Sequence, residues 1–293
     1  MKITLIGLGK MGTAIALRIL EAGFPLTVFN RTKSKTKPLV EKGAMSADNI
    51  HYAVAEADVI ISCLLDDEAL LKMSIGKDSI LEGMKESAIH ISTATILPAT
   101  ATQVANEYEK QGRHYISAAV LGVPKVASQG ELTVFCAGEE NKISLCEPIL
   151  KVFSNKILYL GKEAKAPLVM KICMNYSLIT ALELISEVYV FAEKSGLDKE
   201  VVQHGLHEIY GHPGFKRYVD KIKDRNFDEV NFDMKGGIKD VSIFQKAFSD
   251  AGVPPKLADI VKSRCISALS NHMENKDWSA IYEIARQEAG LKG

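Results

Sequence analysis

Lys2-Ile3-Thr4-Leu5-Ile6-Gly7-Leu8-Gly9-Lys10-Met11-Gly12 is the stretch from which the rest of this chain is read. A short apolar run ends in glycines spaced Gly-x-Gly-x-x-Gly, and Met11 to Ala22 follows with the apolar spacing of an amphipathic helix. Each glycine has a distinct task in such a strand-turn-helix. Gly7 permits the tight turn, Gly9 lets the main chain approach a pyrophosphate, and Gly12 lets the helix close on the strand. The free amides and positive dipole of the helix N-terminus then receive the phosphates. Gly7, Leu8, Gly9, Lys10, Met11 and Gly12 are therefore the expected cradle of a dinucleotide.

Working outward, strand patterns recur at Leu26–Phe29, Val59–Leu64, Ile89–Ser92, Tyr115–Ala119, Leu132–Ala137 and Ile157–Leu160, most of them separated by helical or loop segments. This alternation predicts an α/β fold, a Rossmann-type doubly wound, mostly parallel sheet over residues 1–161. After Gly161 the strand-like runs stop. Helical patterns occupy Glu163–Ser195, Lys199–His207, Val241–Ala251, Lys256–His272 and Trp278–Gln287, with turn signals at Gly211-His212-Pro213-Gly214 and Gly252-Val253-Pro254-Pro255. An all-α C-terminal domain over residues 162–293, joined by a long interdomain helix, is the expectation.

The second strand ends in Asn30-Arg31-Thr32, where an acidic side chain would grip the ribose hydroxyls of NAD. Arg31 can instead clamp a 2′-phosphate, Thr32 can add a hydroxyl, and Lys33 and Lys35 raise the local potential, so NADP is the expected cofactor. Leu64 and Leu65 follow the next strand and would line the adenosine side. Two further loops leave the carboxyl ends of strands. Ser92-Thr93-Ala94-Thr95 is rich in hydroxyls, and the loop around Leu121, Gly122 and Val123 exposes main-chain amides; both suit a carboxylate or the nicotinamide amide.

Composition narrows the function classes. Lys+Arg and Asp+Glu balance at 36 each in 293 residues, which leaves no basic footprint for nucleic acid. The five cysteines are scattered without a Cys-x-x-Cys pair, so neither a disulfide framework nor a zinc site is indicated, and a reducing, cytoplasmic setting fits. His204 and His207 lie three apart with no carboxylate or cysteine cluster to complete a metal site and read as a surface pair. The run Ala166 to Ala192 approaches membrane-span length but carries Lys171, Asn175, Glu183 and Glu187. Those groups are costly in lipid, so it reads as a buried helix and no membrane is expected. Lys171 and Asn175 share one face of that helix and must be held by partners. An ammonium desolvated beside another cation can take or give a proton near neutral pH. Such an apolar helix also needs cover in a lone subunit, and a homodimer, or an oligomer built from dimers, is expected.

In combination these features resemble the β-hydroxyacid dehydrogenases, the family of 3-hydroxyisobutyrate dehydrogenases and semialdehyde reductases with a 6-phosphogluconate dehydrogenase-type NAD-binding domain. The resemblance rests on Gly7 to Gly12, Asn30-Arg31-Thr32, Ser92-Thr93, the loop around Gly122, Lys171-x-x-x-Asn175, Lys239-Asp240 and, for one subgroup, Trp278-Ser279-Ala280-Ile281. It implies that Lys171 is the catalytic lysine, that Asn175 positions it and the substrate, and that Lys239 lies over the cofactor. With Thr93 added to the cofactor side, Ser92, Leu121, Gly122, Val123 and Phe232 form the expected substrate side. The implied reaction moves a hydride between NADPH and a small semialdehyde or oxoacid, or a hydroxyacid in reverse, with no metal. One departure stands out: where many members carry Asp-Ala-Pro-Val-Ser-Gly-Gly, this chain has Ser117-Ala118-Ala119-Val120-Leu121-Gly122-Val123, so Leu121 and Val123 replace a serine and a glycine that receive the substrate carboxylate. An imine-reductase-like enzyme, which usually lacks a lysine at the place of Lys171, and a non-catalytic NADP-binding regulator are the alternative readings.

Overall fold

The computed structural model describes residues 1–291, and the chain divides into two compact units, Met1–Lys171 and Ile172–Gly293. In the first unit the order is β1 (Ile3–Ile6), α1 (Lys10–Glu21), β2 (Leu26–Phe29), α2 (Lys37–Val40), β3 (Met45–Ser46), α3 (Ile50–Val54), β4 (Val59–Ser62), α4 (Asp67–Ser74), α5 (Ile80–Gly83), β5 (Ile89–Ser92), α6 (Pro98–Lys110), β6 (His114–Leu121), α7 (Pro124–Ser128), β7 (Leu132–Ala137), α8 (Glu140–Phe153) and β8 (Ser154–Tyr159).

The strands form one sheet in the order β3-β2-β1-β4-β5-β6-β7-β8. Every neighbouring pair is parallel except β6 and β7, whose connection holds only the short α7 and is too brief for a parallel crossover. β1, β4 and β5 are buried at every position, because both faces of the sheet are covered. Leu5, Ile61, Ile91 and Ile116 face Ile15, Ile19, Ile149 and Phe153 of α1 and α8. Ile6 and Ile60 face the other way, among Val54, Leu70, Val104 and Tyr108. Each such apolar side chain contributes about 1.5–3 kcal/mol of burial. Chain order reverses at β1, which pairs β2 on one side and β4 on the other, so the loops after β1 and β4 flank the crevice of a doubly wound sheet.

The second unit is helical. α9 (Ala166–Lys194) begins in the first unit, and α10 (Lys199–Ile209), α11 (Pro213–Asp224), α12 (Met234–Asp250), α13 (Lys256–Ser270), a 3-10 turn at Trp278–Ala280 and α14 (Ile281–Glu288) follow. Three expectations need correction here. The Gly211–Gly214 turn is the start of α11, where His212 Nδ1 accepts from the Gly214 amide and Pro213 occupies the first turn. α12 starts at Met234 rather than Val241, capped by Asp233. α9, apolar almost all round, buries Ile179, Leu182, Ile185 and Tyr189 but exposes Leu184 and Phe191. Its charges are held as the sequence required, with Glu183 Oε1 accepting from Arg264 Nε at 2.8 Å. Burial pushes the Glu183 carboxyl up, and the guanidinium opposes that shift.

Candidate functional site

The glycine loop takes the form its residues dictate. Gly7 lies at φ +95°, and a Cβ there would meet the Cys63 carbonyl oxygen at 2.3 Å. A Cβ on Gly12 would meet the Gly7 oxygen at 2.0 Å, so α1 packs against the turn as closely as backbone allows. At Gly9 nothing lies within 4 Å of the same position, which leaves the main chain open to a ligand. Gly9 caps α1 with no side chain, whereas α4, after the neighbouring strand, is closed by Asp66 accepting from Ala69 at 2.9 Å. The first-turn amides of α1 thus have no intrahelical partner and the positive end of the helix is unopposed. Pyrophosphate chemistry fits this donor set.

Asn30 ties the end of β2 to the loop. Its Oδ1 accepts from the Leu8 amide at 2.9 Å and its Nδ2 donates to the Thr32 carbonyl at 3.0 Å. The Leu8 side chain is in the core and Met11 packs against it, so Leu8 and Asn30 shape the loop and leave Gly9 and Lys10 exposed. Arg31 and Thr32 are exposed beyond the end of β2. Lys33 is paired with Asp48, so its charge is largely offset; the ammonium holds the Asp48 carboxyl below its usual range. Leu64 is half-buried and Leu65 exposed after β4.

Ser92 and Thr93 are placed differently from the expectation of two hydroxyls offered outward. Both are buried. Thr93 donates back to the Ser62 carbonyl at 3.0 Å, while its amide donates to the same oxygen at 2.9 Å. Thr93 thus ties the loop after β5 back to β4, while the buried Ser92 Oγ has no hydrogen-bond partner among the described residues. Beneath it, Tyr108 donates to the Ser74 carbonyl at 3.3 Å, so the Tyr108 oxygen accepts from His90 Nδ1 and His90 Nε2 accepts from Ser62 Oγ, both at 2.8 Å. Burial pulls His90 down to about 3, so the ring is neutral. Leu121 closes β6 half-buried, Val123 precedes α7, and a Cβ on Gly122 (φ +139°) would meet the Leu132 side chain at 2.5 Å. Leu121, Gly122 and Val123 bring no polar side chain to this loop.

In α9, Lys171 and Asn175 are both buried and one turn apart. Asn175 Nδ2 donates to Asp240 Oδ2 at 3.0 Å, and Lys239 Nζ lies 2.8 Å from Asp240 Oδ1. Asp240 was not singled out as a site residue from the sequence. The signal was there: Gly237, Asp240, Val241 and Phe244 share one buried stripe of α12, and a carboxylate on an apolar stripe needs partners. The start of α12 is rigidly made. Asp277 Oδ2 accepts from Asn231, and Trp278 donates its amide to Phe232. Phe232 stands edge-on to Trp278 with centroids 5.0 Å apart, and a Cβ on Gly236 would strike its ring at 2.8 Å. Nearby, Tyr218 is core, accepting from Trp278 Nε1 at 2.9 Å, and His207, read from the sequence as one of a surface pair, pairs with Asp220 at 2.8 Å.

Comparison with known proteins agrees with this architecture. Residues 2–161 match the model of the NAD binding domain of 6-phosphogluconate dehydrogenase, and residues 166–285 match that of the NAD-binding domain of NADP-dependent 3-hydroxyisobutyrate dehydrogenase. The uncharacterized oxidoreductase YfjR of Bacillus subtilis is 34% identical, covering 98% of this chain and 100% of its own. Glyoxylate/succinic semialdehyde reductase 1 of Arabidopsis thaliana is 26% identical over 98% of this chain and 99% of its own. Among solved structures, Mycobacterium tuberculosis 3-hydroxyisobutyrate dehydrogenase with L-serine superposes with TM-score 0.86 at 24% identity, covering 97% of this chain and 99% of that one. An imine reductase from Myxococcus stipitatus shares the fold at TM-score 0.67 and 18% identity, over 97% and 99% of the two chains. By its matched domains and its full-length relatives, the chain belongs to the β-hydroxyacid dehydrogenase family of nicotinamide-dependent oxidoreductases.

Proposed function

We propose that this protein is an NADPH-dependent reductase of small semialdehydes or oxoacids, running to the hydroxyacid and reversible, with Lys171 as general acid and base. The observation that carries the reading is the burial of Lys171 and Asn175 one turn apart on α9, an arrangement that core packing alone does not require. The glyoxylate/succinic semialdehyde reductase among the relatives supports the carbonyl class.

Gly9, Lys10, Met11 and Gly12 would hold the pyrophosphate on their amides, and Arg31 with Thr32 would take a 2′-phosphate in a charge-assisted clamp. When bound, the reduced nicotinamide supplies the hydride that a carbonyl carbon accepts. Lys171 gives a proton to the carbonyl oxygen as it becomes a hydroxyl, and takes it back in the reverse direction. Asn175 would orient the reacting oxygen, Lys239 would hold the cofactor, and Phe232 would wall the nicotinamide. Thr93 fixes its loop, while Leu121, Gly122 and Val123 offer main-chain amides among apolar side chains. That wall favours carbonyl compounds with an apolar part over small dicarboxylates.

The exposed apolar residues Leu184 and Phe191 of α9, with Leu197 before α10 and Val201 and Ile209 on it, favour a homodimer. The five cysteines are free thiols, which accords with a cytoplasmic setting. NADPH oxidation is followed spectroscopically with glyoxylate, succinic semialdehyde, longer aliphatic semialdehydes and oxoacids, and a cyclic imine. Turnover of a carbonyl compound supports the reading. Turnover of the imine alone makes the protein an imine reductase, and tight NADPH binding without any turnover makes it a regulator.

A further inference from the structure

We infer that Asp240 is a positioning residue which braces Asn175 and Lys239 through a single carboxylate, its kinetic consequence resting on the reductase reading above. Asp240 is 2% exposed and sits on the buried stripe of α12. A carboxylate so placed is costly unless both oxygens find partners. Oδ2 accepts from the Asn175 amide at 3.0 Å, and Oδ1 forms an ion pair with the Lys239 ammonium at 2.8 Å, outside hydrogen-bond geometry. The brace therefore joins α9 to α12 within the helical unit.

Two properties follow from the chemistry of the groups. An asparagine amide presents a donor on one side and an acceptor on the other, and its orientation is set by its neighbours. Asp240, accepting only, commits Asn175 to give its nitrogen there, which leaves the Asn175 carbonyl oxygen as the group shown elsewhere. Lys239 carries a flexible four-carbon stem whose ammonium has no preferred direction of its own. An ion pair with a rigid buried carboxylate supplies one.

The chemistry also predicts why no other residue substitutes. An asparagine at position 240 matches the shape of the carboxylate but owns one acceptor oxygen and one donor nitrogen. If its oxygen serves Asn175, its nitrogen meets the Lys239 ammonium, donor against donor. If it serves Lys239, its nitrogen meets the Asn175 nitrogen. One partner is lost in either case.

Double-mutant cycles test this with full-length protein. Asp240→Asn in the wild-type background should lower kcat roughly 10- to 100-fold, the scale of one lost hydrogen bond to a charged group. In a Lys239→Met background the same change lets the new amide serve Asn175 undisturbed, so its further cost should shrink to about twofold, within the ordinary error of additivity. The Asn175→Ala background should shrink it likewise, because the amide then serves Lys239. NADPH affinity, read by fluorescence without any carbonyl substrate, should fall on Asp240→Asn in wild type and stay level in Lys239→Met. A residue that merely fills the core would cost the same in every background, and that result overturns the inference, as does an Asp240→Asn variant with wild-type kcat and NADPH affinity. Should wild type turn over none of the carbonyl compounds, the reductase reading falls, and the NADPH-binding cycle between Asp240 and Lys239 still decides the brace.

Discussion

The loop after β1 and the cluster around Asp240 are built by opposite means. The loop is contiguous, its shape is enforced by the absence of side chains, and the groups it offers are main-chain amides. The cluster is assembled from α9 and α12, residues 65 positions apart, and depends on side chains with buried charge. The first tolerates no methyl added at Gly7 or Gly12, where a Cβ would meet backbone; the second depends on its own polar atoms. Two predictions attack these sides directly, and two refine the contrast.

The largest effect is expected on the side-chain half. Lys171→Ala should lower kcat by about 10²–10⁴-fold, the usual contribution of a positioned acid-base group, with NADPH affinity unchanged. Retained turnover in the steady-state assay would remove Lys171 from the chemistry.

On the backbone half, adding a methyl should do what deleting a side chain cannot. Gly12→Ala places a Cβ 2.0 Å from the Gly7 oxygen, so the turn must move. A loss of about 1–3 kcal/mol or more in urea unfolding is expected, together with loss of NADPH binding. Gly9→Ala meets no protein atom within 4 Å and should leave stability unchanged while weakening NADPH binding. Equal stability losses in the two variants would show that the loop is not open at Gly9.

Arg31 is the one place where the backbone half relies on a charged side chain. Arg31→Ala should weaken NADPH binding by roughly 10- to 100-fold and leave NADH almost unaffected, as a lost charge-assisted clamp would. Equal affinities for NADH and NADPH in the wild type would end its role as selector.

The smallest effect concerns the polar network beneath the loop after β5. His90 titrates at its ordinary 6.5 in the unfolded chain and near 3 when buried. Its folded value is depressed, so the unfolded chain binds the extra proton in that window. Stability contributed by the neutral ring is complete above 6.5 and falls as pH drops towards 3, by about 1.4 kcal/mol per unit. Urea unfolding at pH 7 and pH 5 should show this slope, and His90→Gln should flatten it. An unchanged slope in the variant would assign the acid limb to other groups.

Legibility in the sequence followed the same division. Gly7 to Gly12 could be read because strand, turn and helix are consecutive and each glycine has one mechanical task. The helical unit was readable as a class from its apolar spacing, and α11 was missed because Pro213 and Gly214 signal a turn as readily as the first turn of a helix. The polar pairings were least accessible. Nothing local in the chain indicates that Asn175 meets Asp240, that Asn30 reaches the Leu8 amide, or that Thr93 turns its hydroxyl inward to Ser62. Those are choices of tertiary packing, in which a short polar side chain takes the nearest partner the fold provides. The apolar loop at Leu121 and Val123 was legible as a departure in residue type, and the structure adds that Gly122 is pinned against Leu132.

Lys171 and Asn175 also act as a ruler. Each residue of an α-helix advances about 100° around the axis, so a single insertion or deletion among Ile172, Cys173 and Met174 would carry Asn175 off the face it shares with Lys171. Loops such as Gly252–Pro255 can lengthen or shorten without that penalty. The chain is thus free to drift in length at its turns, while inside this one helical turn its residue count is fixed.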